Sequence, residues 1–350
     1  MVLDSKFFTP AFPGGELFQM VNGIAGLFTY EVTVVAGDST TPKLTFVTGY
    51  PLALMDWGDR TTQSFVTSGV ELSHTYTRGG TFTVRLIMIN QAVWIKQIDI
   101  HADKVSGNVT SIQLFPNLTH FGAQTNAAWV QDISGWVLPP GLQNLTIHST
   151  GVYGDISDFI WPATINTIYI NHTNVSGDVT AWVLPASLLY AYFGDNSLTG
   201  DDSTWVIPHV MKFFDVSLTD ITGCPDLSIM VHIESIKANE SGLTQTTLDL
   251  YLSRCVTNGD PVFATPVLNL NVIDVFPNAQ GILDIATLQG WGWIVTITPW
   301  PLAGWNIGIM PDTGLYTDWP QWLHFFTSQS AWMNYYRVNL GFEITAHNGD

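Results

Sequence analysis

The chain has 350 residues, 46% of them hydrophobic and only 11% charged, which supplies apolar material for a large core and excludes a disordered polymer. Its 11 Lys+Arg against 29 Asp+Glu give a formal net charge of −18, a field that repels phosphate backbones and anionic lipid and argues against nucleic acid and membrane surfaces as partners. Two cysteines, Cys224 and Cys255, are too few for a disulfide framework or a cysteine-only metal site and read as small buried side chains, with pairing left open. Met1–Lys6 lacks a basic stretch leading into a long apolar run, so no signal peptide is expected. The greasiest stretch, 290–310, is broken by Pro299 and Pro301, so no membrane insertion is expected either.

In chain order, residues 1–23 read as an N-terminal arm. From 24 to 102, short runs alternate apolar and polar residues between Gly, Pro, Asp and Ser; Tyr30–Val35, Lys43–Val47 and Thr81–Ile87 are the clearest strands. Several strands in about 80 residues point to a β-sandwich. Within this stretch Asp56-Trp57-Gly58-Asp59 precedes His74-Thr75-Tyr76-Thr77-Arg78-Gly79-Gly80-Thr81-Phe82-Thr83-Val84. Together the two strings resemble the W-G-D-G turn and H-x-Y-x-x-x-G-x-Y-T-V strand pair of the PKD-type Ig-like domain. The resemblance implies that Trp57 fills the space between sheets, that Gly58-Asp59 forms a tight turn, and that Gly80 turns the chain before the last strand. Arg60 stands where the motif has its last glycine, so the turn is expected to differ there. Domains of this kind serve as spacers or adhesion modules.

From 103 to 243 the sequence repeats. Segments opening at Leu142, Ile165, Leu188 and Met211 recur with a 23-residue period and no gap, and Pro116 keeps the phase upstream. One column is proline (Pro116, Pro139, Pro162, Pro185, Pro208); another, three residues earlier, is aromatic (Trp136, Phe159, Trp182, Trp205). The pairs Leu145/Ile147, Ile168/Ile170, Ala191/Phe193 and Phe214/Val216 describe a short strand with one face inward, and Val152, Val175, Leu198 and Ile221 add a further apolar column. The unit L-x-I-x-x-T-x-V-x-G-D-I is similar to the leucine-rich-repeat pattern L-x-L-x-x-N-x-L-x-G-x-I-P, with Asn196-Ser197-Leu198-Thr199-Gly200 the nearest match. A solenoid is expected: one coil cannot bury its own apolar edge, whereas stacked coils bury a continuous core.

Past Ile236 the period fades. Leu243–Cys255 and Gly281–Leu288 read as helices, and Val267–Val272 and Gly290–Ile297 as strands, which gives a small α/β cap over 244–298. This series resembles the C-terminal cap of leucine-rich-repeat proteins found among bacteriophage tail, fibre and other virion proteins and among bacterial surface adhesins. The expected fold class is mainly β: an Ig-like β-sandwich plus a leucine-rich-repeat-like solenoid with a small α/β C-terminal cap. Residues 299–350 lie beyond the resemblance. They are crowded with aromatics, including Trp319, Trp322, Phe325, Phe326, Trp332, Tyr335 and Tyr336, and Arg337 is their one Lys or Arg. Aromatic enrichment with little charge is the composition of an interface core, so this segment either docks a neighbouring subunit or folds back over the solenoid end.

Catalytic motifs are missing. No phosphate loop, G-x-S-x-G elbow, H-E-x-x-H or paired C-x-x-C occurs, and the nine histidines lack ligand spacing, so the chain reads as non-enzymatic. Asp132, Asp155, Asp178 and Asp201 share one repeat column. Stacked coils would set such equivalents about 5 Å apart, where unit charges repel by about 1 kcal/mol even in water. Either these carboxylates cap turn N–H groups, which the Gly-Asp pairs at 154–155, 177–178 and 200–201 favour, or they gather a cation such as calcium; no other cofactor is implied. The acids Asp201-Asp202 carry little weight as a glycosidase pair, because neighbours in a strand or turn point apart. Outward strand positions place Tyr169, Tyr190, Tyr192 and Phe213 beside His148 and Asp215, a candidate ligand- or partner-binding face, since tyrosine supplies rigid area and a hydroxyl.

The expected function is that of a bacteriophage virion structural protein, as a fibre, decoration or receptor-binding component. It would assemble with other virion proteins or with copies of itself as a homo-oligomer, and recognise a host-surface glycan or protein. A bacterial cell-surface adhesin, extracellular, and a polysaccharide depolymerase are the alternatives.

Overall fold

A computed structural model of the chain describes residues 28–297 apart from 47–52, 66–67, 70, 89–94, 102, 229, 231, 259–264, 273–274 and 276. The N-terminal arm 1–23 and the expected assembly residues Trp319, Trp322, Phe325, Phe326, Trp332, Tyr335 and Tyr336 lie outside the described residues. What is described is mainly β, arranged in several sheets, with two α-helices among the described residues.

The alternating runs of the first region form eight strands: β1 Phe28–Val34, β2 Ser39–Thr40, β3 Lys43–Phe46, β4 Ala53–Asp56, β5 Thr62–Phe65, β6 His74–Thr75, β7 Gly80–Met88 and β8 Ile95–Asp99. Strands β1, β7, β4 and β5 make an antiparallel sheet in that order, and β2 pairs with β6. Along β1, Phe28, Tyr30, Val32 and Val34 are buried and the intervening residues are not, as the period of two requires. Trp57 is buried and stacks on His74 at 4.9 Å, while Asp59 holds the same ring at Nε2, 2.8 Å away. Gly58 has φ +80°, and a Cβ there would strike the Thr83 carbonyl oxygen at 2.6 Å, so the close strand approach needs glycine. Arg60 adopts φ 77°, a left-handed backbone that glycine reaches without strain, so the turn keeps that conformation despite its side chain.

Beyond residue 103 each repeat contributes a strand to a parallel ladder. Strands β9 His120–Gly122, β10 Asn144–Thr146, β12 Thr167–Tyr169, β14 Tyr190–Tyr192, β16 Phe213–Asp215 and β18 Ser235–Lys237 pair in succession. A second ladder takes β11 Tyr153–Asp155, β13 Asn174–Asp178, β15 Ser197–Asp201 and β17 Asp220–Thr222. Between them lie the expected inward columns: Leu145, Ile168, Ala191 and Phe214 are buried, as are Val152, Val175, Leu198 and Ile221. In the aromatic column Trp182 stacks on Trp205 at 5.9 Å and 10°. Pro139, Pro162, Pro185 and Pro208 each accept the N–H three residues on, as Pro162 does from Ile165 at 3.0 Å, and this turns the chain back toward the first ladder. At the upstream end β8 pairs parallel with β9 and antiparallel with β3, so one ten-stranded sheet runs across the expected boundary at 102/103.

The sheet continues downstream through β19 Val267–Asn269 and β20 Ile294–Thr296, with α1 Gln245–Asn258 and α2 Ala279–Gly290 packed together. Thr244 and Thr247 cap α1 reciprocally, Thr244 N–H to Thr247 Oγ1 at 2.8 Å and Thr247 N–H to Thr244 Oγ1 at 3.3 Å. Helix α2 begins two residues before the expected Gly281, because Asn278 caps it by accepting the Gly281 N–H at 2.9 Å. Cys224 and Cys255 are free, buried thiols, and burial pushes the Cys255 thiol up to about 12.

Candidate functional site

The open side of the first ladder carries the ring cluster. Register puts Thr167 opposite Tyr190, Tyr169 opposite Tyr192, Tyr190 opposite Phe213 and Tyr192 opposite Asp215, so side chains one repeat apart become neighbours. Tyr169 meets Tyr192 edge-on at 4.5 Å, and Phe213 stacks with Tyr190 at 5.6 Å and with Tyr192 at 6.0 Å. His148 joins at 6.0 Å from Tyr169. All five rings are half-buried, so each keeps a face or edge at the surface. Burial holds the Tyr192 hydroxyl well above the ordinary phenol range, and Tyr169 and Asp215 add to the effect. His148 is shifted the other way: burial, then the neighbouring His172, lowers it, which favours a neutral ring.

Asp215 stands in the expected register, but its carboxylate is turned into the protein. It is 8% exposed, and its Oδ1 accepts the Ser217 N–H at 3.0 Å and hydroxyl at 2.5 Å. Lys237 Nζ lies 3.9 Å from its other oxygen. Asp215 therefore shapes the end of its strand and positions Ser217, and it is not free to meet a ligand. Ionisable side chains that sequence reasoning passed over flank the rings: Lys212 and Glu234 pair at 3.2 Å, and His172 Nδ1 lies 2.6 Å from an Asp195 carboxylate oxygen. The spacing of His172 and Asp195, one full repeat, is the signal that could have found the second pair.

The carboxylate column is a set of turn caps. Asp132, Asp155, Asp178 and Asp201 each accept the N–H two residues on, from Ser134, Ser157, Thr180 and Ser203, at 2.8–2.9 Å. Asp226 makes the same cap with Ser228 at 2.9 Å, two residues past the next position of the 23-residue period, which is Cys224. These hydrogen bonds hold the Asp132, Asp155 and Asp178 carboxyls below the usual carboxylate range. Asp178 N–H in turn donates to Ser157 Oγ at 2.7 Å, which ties one repeat to the next.

The expected direct stacking of the four acids is corrected by the register. The second ladder is shifted by two residues relative to the first, so Asp155 lies opposite Ser176 and Asp178 opposite Thr199. What faces each carboxylate is the next repeat's glycine. A Cβ on Gly177 would fall 2.6 Å from Asp155 Oδ1, and Gly154, Gly200 and Gly223 meet Asp132, Asp178 and Asp201 in the same way. This contact explains the recurring Gly-Asp dipeptide: the aspartate caps its own turn and the glycine makes room for the aspartate before it. Among the described residues no three His, Cys, Asp or Glu side chains converge as a metal site would require.

Two buried acids stand apart. Asp202 occupies a column otherwise held by Ile133, Ile156 and Val179. It is 1% exposed, and its contact is the Tyr251 hydroxyl of α1 at 3.4 Å. Burial, with Asp201 adding to it, pushes Asp202 up to about 7. Asp103, buried beside the Tyr30 hydroxyl and accepting the Thr41 N–H at 2.6 Å, is likewise pushed up to about 7 by burial. Asp201 is exposed and Asp202 buried, so this adjacent pair does point apart.

No protein-family model matches the chain, and no curated protein matches it. Among solved structures, a crystal structure of a pollen receptor kinase 3 is similar over 43% of this chain and 75% of its own, at 22% identity and a TM-score of 0.34.

Proposed function

We propose that the chain is a non-enzymatic recognition and assembly protein, a fibre, decoration or receptor-binding component of a bacteriophage particle. In this reading the first region is a PKD-type Ig-like sandwich, the array a leucine-rich-repeat-like solenoid, and 244–298 its α/β cap. The virion assignment rests on the likeness of repeats and cap to such proteins; recognition rests on the ring cluster. Tyr169, Tyr190, Tyr192 and Phe213 are fixed on neighbouring strands, with each ring 4.5–6.5 Å from its neighbours on the next strand. Rings already held in place lose little freedom on binding, and their faces and hydroxyls suit a host-surface glycan or a protein.

The test is capture of host cells or of their isolated surface polysaccharide by a chain carrying Tyr169→Ala and Tyr192→Ala. Capture should fall at least about tenfold, the loss of roughly 1.4 kcal/mol of contact, with a melting temperature near that of the parent. Undiminished capture would remove the ring cluster from the function. Release of reducing ends from the polysaccharide by the unaltered chain would favour a depolymerase instead.

A further inference from the structure

The array divides its charge unevenly between its two ladders. Residues 105–211 contain no Lys, Arg or Glu, so their full charges are those of aspartates. The exposed Asp132, Asp155, Asp178 and Asp201 all cap turns of the second ladder. On the outward positions of β9, β10, β12, β14 and β16, the ionisable side chains other than tyrosine are His120 and Asp215. Burial, then Lys96, lowers His120 and favours its neutral ring, and Asp215 is turned inward. Around the rings each carboxylate has a partner beside it: Glu234 has Lys212, Asp195 has His172, and Asp215 has Lys237. The ring-bearing face is therefore without net charge on a chain of −18.

The rings themselves form a corner. Tyr190 and Tyr192 lie 21° and 24° from the plane of Phe213, whereas Tyr169 stands at 87° and 83° to those two tyrosines. Ring surfaces are presented in two directions at right angles, not as one flat shelf. Small polar groups border them. Register sets Asn144 beside Thr167 and Thr146 beside Tyr169. The Asn144 amide, the Thr146 hydroxyl and the Asn171 amide hydrogen-bond to no described residue, so they keep donors and acceptors for a ligand. The four rings occupy three neighbouring strands and two positions along a strand, about 10 Å by 7 Å. That is a short run of sugars, and far less than the roughly 800 Å² each partner gives to a protein interface of standard size.

We propose that the ligand of this corner, taken as the recognition site argued above, is an uncharged glycan chain. The C–H faces of a sugar pack on the ring faces, and its hydroxyls meet the Asn144, Thr146 and Asn171 side chains. A polymer of uronates or phosphates would be repelled by the chain as a whole and would find no unpaired cation among the rings. A polymer of amines would need carboxylates there, and each of those is already partnered. A flat, crystalline polysaccharide surface would touch rings of one orientation and leave the others unused, so a single flexible strand is the better fit.

The experiment measures equilibrium binding of the full chain to soluble polymers of known charge: a neutral glucan, a neutral galactomannan, a uronate polymer, a teichoic acid and deacetylated chitin. Binding should be confined to the neutral polymers. Its affinity should change by less than about twofold between roughly 0.05 M and 0.5 M salt, because screening acts on charges. Tyr169→Ala with Tyr192→Ala should lower it at least about tenfold, and Asn144→Ala with Thr146→Ala by about three- to tenfold, the scale of a lost hydrogen bond. Should the tyrosine variant fail to fold, the salt series and the Asn144 and Thr146 variant decide. Ring-dependent binding to the uronate polymer, the teichoic acid or deacetylated chitin overturns the proposal, as does binding to neither neutral polymer. Host cells captured through the rings in either case would leave recognition at this face standing, and loss of that capture after protease treatment of the cells would assign a protein ligand. Cells captured equally by the parent chain and the tyrosine variant would remove both readings.

Discussion

The antiparallel region and the repeat array solve the same burial problem with opposite contact patterns. In the first, β1 pairs with β7, so Phe28 lies opposite Leu86, and every strand has a different partner and register. In the array each strand meets its equivalent one repeat away, as Leu145 meets Ile168 and Ile168 meets Ala191. The first region depends on long-range closure and should be lost as a unit. Stability in the array is a sum over neighbouring repeats, so damage stays local until the neighbours follow. One sheet joins the two, which makes β8 and β9 the place where the two behaviours meet.

The largest expected break in this contrast is Gly177→Ala. At φ +138° the new Cβ would press on Asp155 Oδ1 and, at 2.8 Å, on the Ser157 backbone nitrogen. A loss of about 3 kcal/mol is expected. Hydrogen exchange should quicken in the repeats around 155–200 while β1, β4 and β7 keep their protection. Exchange that rises evenly along the chain would show that the two regions unfold together.

Asn196→Ala should come next, at about 2–3 kcal/mol by urea unfolding. The Asn196 side chain donates to the Ile170 and Phe193 carbonyls at 2.9 and 2.8 Å and accepts the Thr173 N–H and hydroxyl at 3.1 and 2.6 Å, which binds two repeats. Thr150 in the equivalent place makes one bond within its own repeat, to Ile147 O at 2.7 Å, so Thr150→Ala should cost only about 1 kcal/mol. Equal costs would mean that bonds between repeats add nothing beyond local ones.

Acidity offers a subtler probe, since two buried acids are raised, Asp103 against Tyr30 and Thr41 of the first region and Asp202 at the array's junction with α1. Both are raised to about 7 from an unfolded value near 4. The folded state therefore binds the proton more tightly, and stability falls as pH rises from about 4 to 7. The capping carboxylates Asp132, Asp155, Asp178 and Asp226 are shifted down, so their contribution is present above about pH 4 and is lost in stronger acid. Melting temperature should peak near about pH 4–5, and Asp202→Asn should flatten the alkaline limb by on the order of 1 kcal/mol. A melting temperature that climbs steadily to pH 7 would contradict these shifts.

The smallest effect expected is a gain. Thr125, Ser149, His172, Asp195, Leu218 and Glu240 all have φ between 52° and 61°, one left-handed residue per repeat just past the first ladder. Leu218 is the one among them with a long aliphatic side chain, and it is 41% exposed. Leu218→Asn should raise stability by about 1 kcal/mol with no change in fold. A loss of stability would mean that the leucine makes a contact worth more than its backbone strain.

Much of the candidate site is legible in the sequence. Outward positions of a period-two strand that recurs once per repeat must sit side by side, so Tyr169, Tyr192 and Phe213 follow from counting. Asp215 departs from that expectation because register fixes where a Cβ points but not where a short carboxylate turns, and Ser217 draws this one inward. Asp202 breaks an aliphatic column and is conspicuous on that ground alone; its partner Tyr251 comes from α1, beyond the reach of the period.

Local rules are enough to set the repeat length, the inward columns, the prolines that turn the chain and the caps made by aspartate two residues ahead. These depend on neighbours in sequence and on the strand period, and both can be read along a single chain. Packing of one repeat on another set the two-residue shift of the second ladder, the left-handed residue in each repeat and the glycine placed against the preceding aspartate. Each of those is settled by the repeat alongside. A backbone takes positive φ, or slides by one pleat, when carbonyls and carboxylates on the adjacent repeat make that the arrangement in which backbone polar groups find partners.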